Sequence, residues 1–422
     1  MNQPRQSSSS VWHPYTQMQT AGNFPLIVRG EGAWLFDDKG NKYLDAVASW
    51  WTNLHGHAHP HIAARIAQQA QTLEQVIFAG FTHPAAEELA QKLLAHIPYH
   101  SRIFYSDNGS TAVEAAIKMA IQYWNNKGQK RNKIIAFRDA YHGDTFGSMS
   151  ISARGVFTNA FQSLLFDVVF IDTPDYTNGE IVVEQLLRAV KRDDIAAFIF
   201  EPLVLGSAGM LMYKAETLNK LIGICKENAV LTIADEVMTG FGRTGKFLAT
   251  DHCANKPDIV CLSKGITGGF LPFAATTCTE DIYTAFLSDD KSKMLFHGHS
   301  YTGNPLGCAA AIASLEVFEQ ERTLTKIERI AELHAALAER IKLQKAIKEV
   351  RHQGTIVAIE FKAEDGGYLS NIRDKAYTFF ISKGIVLRPL GNVIYILPPY
   401  CITEAELHLV YSAIEEFSAS LN

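Results

Sequence analysis

Long apolar runs are missing from this 422-residue sequence, and its most apolar interior stretch is broken by Glu201 and Pro202. A membrane-crossing helix needs about 20 consecutive apolar residues, so none is expected. The opening MNQPRQSSSSVWHPY lacks the apolar core of a signal peptide, and a cytoplasmic protein is the expectation. Positive charge is not in excess: 39 Lys and Arg face 44 Asp and Glu, a formal net charge of -5. With no basic field to gather phosphate backbones, nucleic acid is not an expected partner, and small molecules are favoured. Paired cysteines are absent as well. Cys225, Cys253, Cys261, Cys278, Cys308 and Cys401 fall singly with no C-x-x-C, which excludes a disulfide framework and a zinc–thiolate site and suits reduced thiols. Low-complexity sequence is confined to Ser7–Ser10, and no internal repeat is found.

What is present is the balance of a globular protein, 47% hydrophobic and 20% charged, with length for one large α/β domain and a smaller one. Residues 1–10 read as a mobile polar arm, with order beginning around Trp12 to Tyr15, and a β-rich stretch follows. From about Glu87, helical patterns alternate with short β-branched runs at 134–137, 168–172, 196–201, 230–235 and 259–263. That alternation implies βαβ units and a mostly parallel sheet flanked by helices. A helix from about Thr111 places Ala112, Ala115, Ala116, Met119, Ala120 and Tyr123 on one face, with Gly128 set to stop it. After a helical segment around 305–319, the pattern becomes a small α+β unit: a charged helix, a strand at 355–361, a helix, short strands at 385–387 and 393–396, and a closing helix. The expected division is therefore 1–60 as an arm and a segment joining the small domain, 61–320 as the large domain and 321–422 as the small domain.

Three constellations carry chemistry. Ser106-Asp107-Asn108-Gly109-Ser110-Thr111 opens the amphipathic helix, where free amides and hydroxyls hold a phosphate or simply cap the helix. Asp235 ends the apolar run at 230–234, at a strand edge where ligands bind in parallel sheets; a protonated pyridine nitrogen would partner it, and a solvated loop acid is the plainer alternative. Lys264 ends a second such run and leads into Gly265-Ile266-Thr267-Gly268-Gly269, a place suited to an imine-forming amine or to a lysine whose charged head reaches solvent. Phosphate cup, ring-nitrogen acid and reactive lysine, in this order, are what pyridoxal phosphate chemistry requires. The alternating His55, His57, His59 and His61 raise a metal site, but Gly56 and Pro60 interrupt them and no carboxylate or cysteine cluster accompanies them in the sequence. Polar packing near the site is the expectation there, and no metal.

With these residues in view the chain resembles the class III aminotransferases of the fold type I pyridoxal-phosphate enzymes. The resemblance is carried by Asn108-Gly109-Ser110, Tyr141-His142-Gly143, Ile233-Ala234-Asp235-Glu236, the stretch Gly240 to Gly245, Ser263-Lys264-Gly265 through Gly269, and Gly298-His299-Ser300 through Pro305, in family order across most of the chain. It implies a large domain with a mostly parallel sheet, a smaller α+β domain, pyridoxal 5'-phosphate as cofactor, and a homodimer with shared sites. Lys264 is then the Schiff-base lysine and proton carrier, and Asp235 the partner of the pyridine nitrogen. Gly109 and Ser110 bind the phosphate, Ser300 of the facing subunit with His299 beside it completes the cup, and Tyr141 lies on the ring.

Trp12 to Thr16, Ser49-Trp50-Trp51, Tyr141 to Gly147, Arg388-Pro389, Tyr395 and Pro398-Pro399-Tyr400 narrow the resemblance to members that aminate 8-amino-7-oxononanoate in biotin synthesis with S-adenosylmethionine. In that reading Tyr15, Trp50 and Tyr395 border the substrate and Arg388 forks onto its carboxylate. Gly298 lets it pass close to the backbone, Asp144 faces a cationic group or serves as a turn aspartate, and Glu201 stands behind the site. Trp51 is expected in the core. Gly298-His299-Ser300 departs from the Gly-Pro-Thr of some adenosylmethionine users, so lysine as donor, or another ω-amino acid aminotransferase, stays open.

Overall fold

The protein is seen in a computed structural model that describes residues 10–22, 24–363 and 371–421. Apart from Ser10, the arm expected to be mobile lies outside the described residues. The central sheet has seven strands, in spatial order Arg102–Ser106, Ala274–Cys278, Ile259–Leu262, Leu231–Asp235, Ile195–Phe200, Lys133–Phe137 and Val169–Ile171. The last five run parallel to one another, whereas Ala274–Cys278 is antiparallel to both of its neighbours. Ile195–Phe200 is buried at every position, as expected of a strand covered on both faces.

The helix Gly109–Asn126 begins two residues earlier than its sequence pattern, because Asn108 caps it, and the six expected positions are all buried. Strand–helix alternation fails after Ile259–Leu262. Lys264–Thr267 is a single 3-10 turn, and Gly268 and Gly269, at φ 63° and 89°, let the chain reverse at once into the antiparallel strand.

A four-stranded sheet joins the two ends of the chain, in the order Ile27–Glu31, Trp34–Asp37, Lys42–Asp45, Ile385–Val386. Its last pair is parallel, with Asp45 opposite Val386. A third, antiparallel sheet contains Ile347–Gln353, Ile356–Phe361 and Val393–Ile396. The first of these was hidden in the sequence by its four charged or histidine residues, Lys348, Glu349, Arg351 and His352. Helices Pro60–Thr72 and Pro84–His96, each opened by a proline whose missing N–H costs nothing in the first turn, pack on the almost wholly buried helix Pro305–Gln320.

Candidate active site

Because Leu231–Asp235 and Ile259–Leu262 are adjacent and parallel, Asp235 and Lys264 emerge together at the carboxyl edge of the sheet. A cavity of about 660 Å³ opens there, lined by both and by Asn108, Gly109, Ser110 and Tyr141. At its phosphate end, capping and anion binding prove compatible. The Asn108 side chain accepts from Thr111 N–H, and the Thr111 hydroxyl accepts from Asn108 N–H, both at 3.1 Å. That box leaves the Gly109 and Ser110 amides among the first-turn donors without a helical partner. Ser110 Oγ accepts from Asp144 N–H at 3.2 Å, and a Cβ on Gly143 would stand 2.0 Å from that oxygen. Only glycine fits behind the cup.

Asp235 is 5% exposed. Its Oδ1 accepts from Val237 N–H at 3.1 Å and its Oδ2 meets His142 Nδ1 at 2.7 Å. In the sequence His142 has no chemical pattern of its own beyond its place in Tyr141-His142-Gly143. Lys264 keeps part of its surface on the cavity, but protein encloses the amine and desolvation pushes its pKa down to about 8, against the opposing pull of Asp235 and Glu201. Glu201, whose own pKa burial pushes up to about 7, accepts from Tyr141 N–H at 2.9 Å and Gly206 N–H at 3.0 Å, and so fixes the backbone that carries Tyr141.

A second cavity of about 420 Å³ adjoins the first and shares Tyr141, Asp144 and Lys264 with it. Its walls are aromatic. Tyr15 meets Trp50 and Phe157 edge-on at 5.6 and 5.8 Å, its hydroxyl donates to Asp144, and Tyr141 Oη is 3.3 Å away. The Arg388 guanidinium lies over the Trp50 ring at 3.9 Å. Phe157, Ser207 and Leu390 also line this space. They sit singly in loops without a motif, which is why the sequence did not point to them.

Trp51, expected in the core, is 5% exposed yet lines both cavities, with its ring 4.6 Å from Lys264 Nζ. Tyr395 is not on either wall: it is 1% exposed, in the fully buried strand Val393–Ile396, and its hydroxyl accepts from Trp51 Nε1 at 3.0 Å. Gly298, His299 and Ser300 lie outside their own chain's cavity. His299 Nδ1 is 3.4 Å from Asp107 Oδ2, and the Ser300 carbonyl accepts from Gln75 Nε2 at 2.5 Å. The four histidines are separately engaged: His55 with Ser314, His57 with Asp45, His59 with Glu321 and His61 with Glu316. The carboxylates missing from their neighbourhood in sequence are thus supplied to three of them by the fold.

The sequence profile of aminotransferase class-III matches residues 16–417. The chain belongs to the class III aminotransferases. Among the relatives of this family member is the adenosylmethionine-8-amino-7-oxononanoate aminotransferase of Synechococcus elongatus, 46% identical over 419 residues that cover 97% of this chain and 98% of the relative. The crystal structure of the enzyme of that name from Methanocaldococcus jannaschii is 39% identical, with a TM-score of 0.91 over 96% of this chain and 97% of the other. An amine transaminase from an uncultivated Pseudomonas species, in its pyridoxal-phosphate-bound form, is 31% identical with a TM-score of 0.91, covering 99% of this chain and all of that one.

This class III aminotransferase is thus a pyridoxal-phosphate-dependent transaminase of fold type I. Its cavity fits the cofactor: a cup closed by Gly143 that suits a phosphate, a buried carboxylate that a cation could partner, and a desolvated amine line the same space. Among the described residues no helix is long and apolar enough to cross a membrane.

Proposed function

We propose that this aminotransferase passes an amino group to the ketone of 8-amino-7-oxononanoate in biotin synthesis, with S-adenosylmethionine as the donor. The observation that supports this most is the second cavity, lined by Tyr15, Trp50, Trp51, Tyr141 and Phe157 together with the Arg388 cation and the Asp144 carboxylate. An elongated substrate with an apolar chain, one carboxylate and one amine matches those three features. Arg388 forks onto the carboxylate, Tyr15 and Trp50 border the chain, and Asp144, released from Tyr15, faces the cation.

When bound, the cofactor supplies the electron sink that makes a carbon next to the amine acidic. The residues that would hold it are Gly109 and Ser110 at the phosphate, Tyr141 against the ring, Asp235 at the ring nitrogen and Lys264 at the reactive carbonyl. Lys264 Nζ is the catalytic residue: uncharged near neutral pH more readily than an ordinary lysine, it would carry the proton from the donor carbon to the cofactor's reactive carbon in the first half-reaction and run the same transfer in reverse, onto the acceptor carbon, in the second. His142 fixes the orientation of Asp235.

The working unit in this reading is a cytoplasmic homodimer, with the partner's Ser300 completing each phosphate cup. The Ser300 loop is flanked by exposed apolar side chains, Met294 (51%), Phe296 (58%) and Tyr301 (62%), a surface that a second copy would cover. The proposed division of the chain is a joining segment at 1–60, a cofactor-binding domain at 61–320 and a small domain at 321–422.

The test is the visible absorbance of the holoenzyme, before and after S-adenosylmethionine or lysine is added in separate cuvettes without keto acid. Bleaching by S-adenosylmethionine alone is the expected result. Bleaching by lysine alone would keep the acceptor and change the donor, and bleaching by neither would overturn the assignment.

A further inference from the structure

Four consecutive residues, none of them glycine, have positive φ: Ala48 at 48°, Ser49 at 49°, Trp50 at 75° and Trp51 at 76°. They form one left-handed helical turn, closed by Trp51 N–H on the Val47 carbonyl and Thr52 N–H on the Ala48 carbonyl, both at 2.9 Å. In this region Cβ crowds the next carbonyl, so side-chain-bearing residues enter it singly at most, and a whole turn persists only where its surroundings over-determine it. This turn delivers both tryptophans of the site, Trp50 beneath Arg388 and Trp51 against Lys264.

A buried polar brace holds it. Asp45, with 0% exposure, ends the strand before the turn and accepts from Val47 N–H at 3.2 Å and from the Ser49 hydroxyl at 2.9 Å. Its Oδ2 also meets His57 Nε2 at 3.0 Å. The Asn53 amide oxygen accepts from Gly56 N–H at 2.8 Å, which leaves Asn53 Nδ2 to donate to His57 Nδ1 at 3.1 Å. His57 therefore carries its proton on Nε2 and donates it to Asp45. From the other side the buried Arg243 donates to the Trp51 carbonyl at 3.4 Å and the Asn53 carbonyl at 3.1 Å. Asp45 also lies opposite Val386, two residues before Arg388, so the strand pair that carries the brace carries the arginine.

We infer that Asp45 and Ser49 are a positioning pair for transamination: they hold the left-handed turn that seats Trp50 under Arg388, and so set the affinity for a carboxylate-bearing substrate. The inference rests on the reading of Arg388 as the carboxylate fork. Ser49 offers the cleaner handle because it is an exposed residue on the wall of the second cavity, whereas Asp45 is buried. Ser49→Ala loses the bond to Asp45 and keeps the Cβ that opposes positive φ. Ser49→Gly loses the same bond but takes positive φ freely.

The experiment measures steady-state kinetics of the full-length holoenzyme with 8-amino-7-oxononanoate varied. Ser49→Ala is expected to raise KM about tenfold with kcat changed by less than about twofold, and Ser49→Gly to return KM to within about threefold of wild type. A merely structural role would shift melting temperature and leave that split unmoved. An unchanged KM in Ser49→Ala, or equal rises in both variants, would overturn the inference. Crystal structures of the two variants need no substrate: Trp50 leaves Arg388 in Ser49→Ala and stays in Ser49→Gly if the pair acts as inferred, and an unmoved Trp50 in Ser49→Ala sinks it. Should the wild type not turn over 8-amino-7-oxononanoate, the substrate assignment falls, and the structures alone decide the brace.

Discussion

Lys264 is the residue on which the chemistry turns, and its environment makes a measurable demand. Desolvation disfavours the charged amine, so its pKa moves down from the ordinary lysine value of 10.5 to about 8. Below that pH the protonated fraction dominates and cannot attack a carbonyl. Capture of pyridoxal phosphate by the apoenzyme should therefore accelerate roughly tenfold per pH unit on approaching about 8 and level off above it, in stopped-flow absorbance. An inflection near the ordinary lysine value would show that the amine is not desolvated. Lys264→Ala is expected to lower turnover by more than about 10³-fold, and borohydride reduction followed by peptide mapping should place the cofactor on Lys264 in wild type alone. Asp235→Asn keeps the shape of the side chain and its seat beside His142 while removing the charge. It should cost on the order of a hundredfold in kcat with the cofactor retained, and a variant within about twofold of wild type would remove Asp235 from its proposed role.

At the level of elements, the phosphate cup is a helix start with a glycine pressed against it. Gly143 has φ 132° and no room for a Cβ beside Ser110, so Gly143→Ala must push the two segments apart and open the cup. The expected result is a rise of about tenfold or more in the dissociation constant for pyridoxal phosphate, by equilibrium dialysis. An unchanged constant would mean that the cup is built elsewhere. The helix itself, the strands on either side of Asp235 and the edge that holds Lys264 were legible, because apolar periodicity and small polar turn residues are local signals. The antiparallel return after Lys264 was not, since glycines permit a reversal without dictating the direction of the strand that follows. Ile347–Gln353 was masked by its charged and histidine residues, which say nothing about backbone pairing. The left-handed turn at Trp50 and Trp51 was hidden for a deeper reason. No residue type in Ala-Ser-Trp-Trp favours positive φ; the local Asp45–Ser49 bond has no sequence signature, and Arg243, which holds the turn from the other side, arrives from far along the chain.

For the whole molecule the question is whether one chain holds a complete site. Ser300 is exposed and lies outside its own cavity, though it stands at the end of the run of site motifs along the sequence. If the partner's Ser300 closes each cup, two damaged chains can share one intact site. Consider Lys264→Ala in one chain and Ser300→Asp in the other, the second placing a carboxylate against the phosphate. In the heterodimer one site collects both lesions, while the other combines an intact Lys264 with an intact Ser300. Co-expression with two different tags and purification through both isolates that heterodimer, which should show about half the wild-type activity while each parental homodimer is nearly inactive. If the site were complete within one chain, each site of the heterodimer would keep one lesion, and the preparation would be as inactive as its parents. A stable monomer with full activity would have the same meaning, because no second chain would then be needed to close the cup.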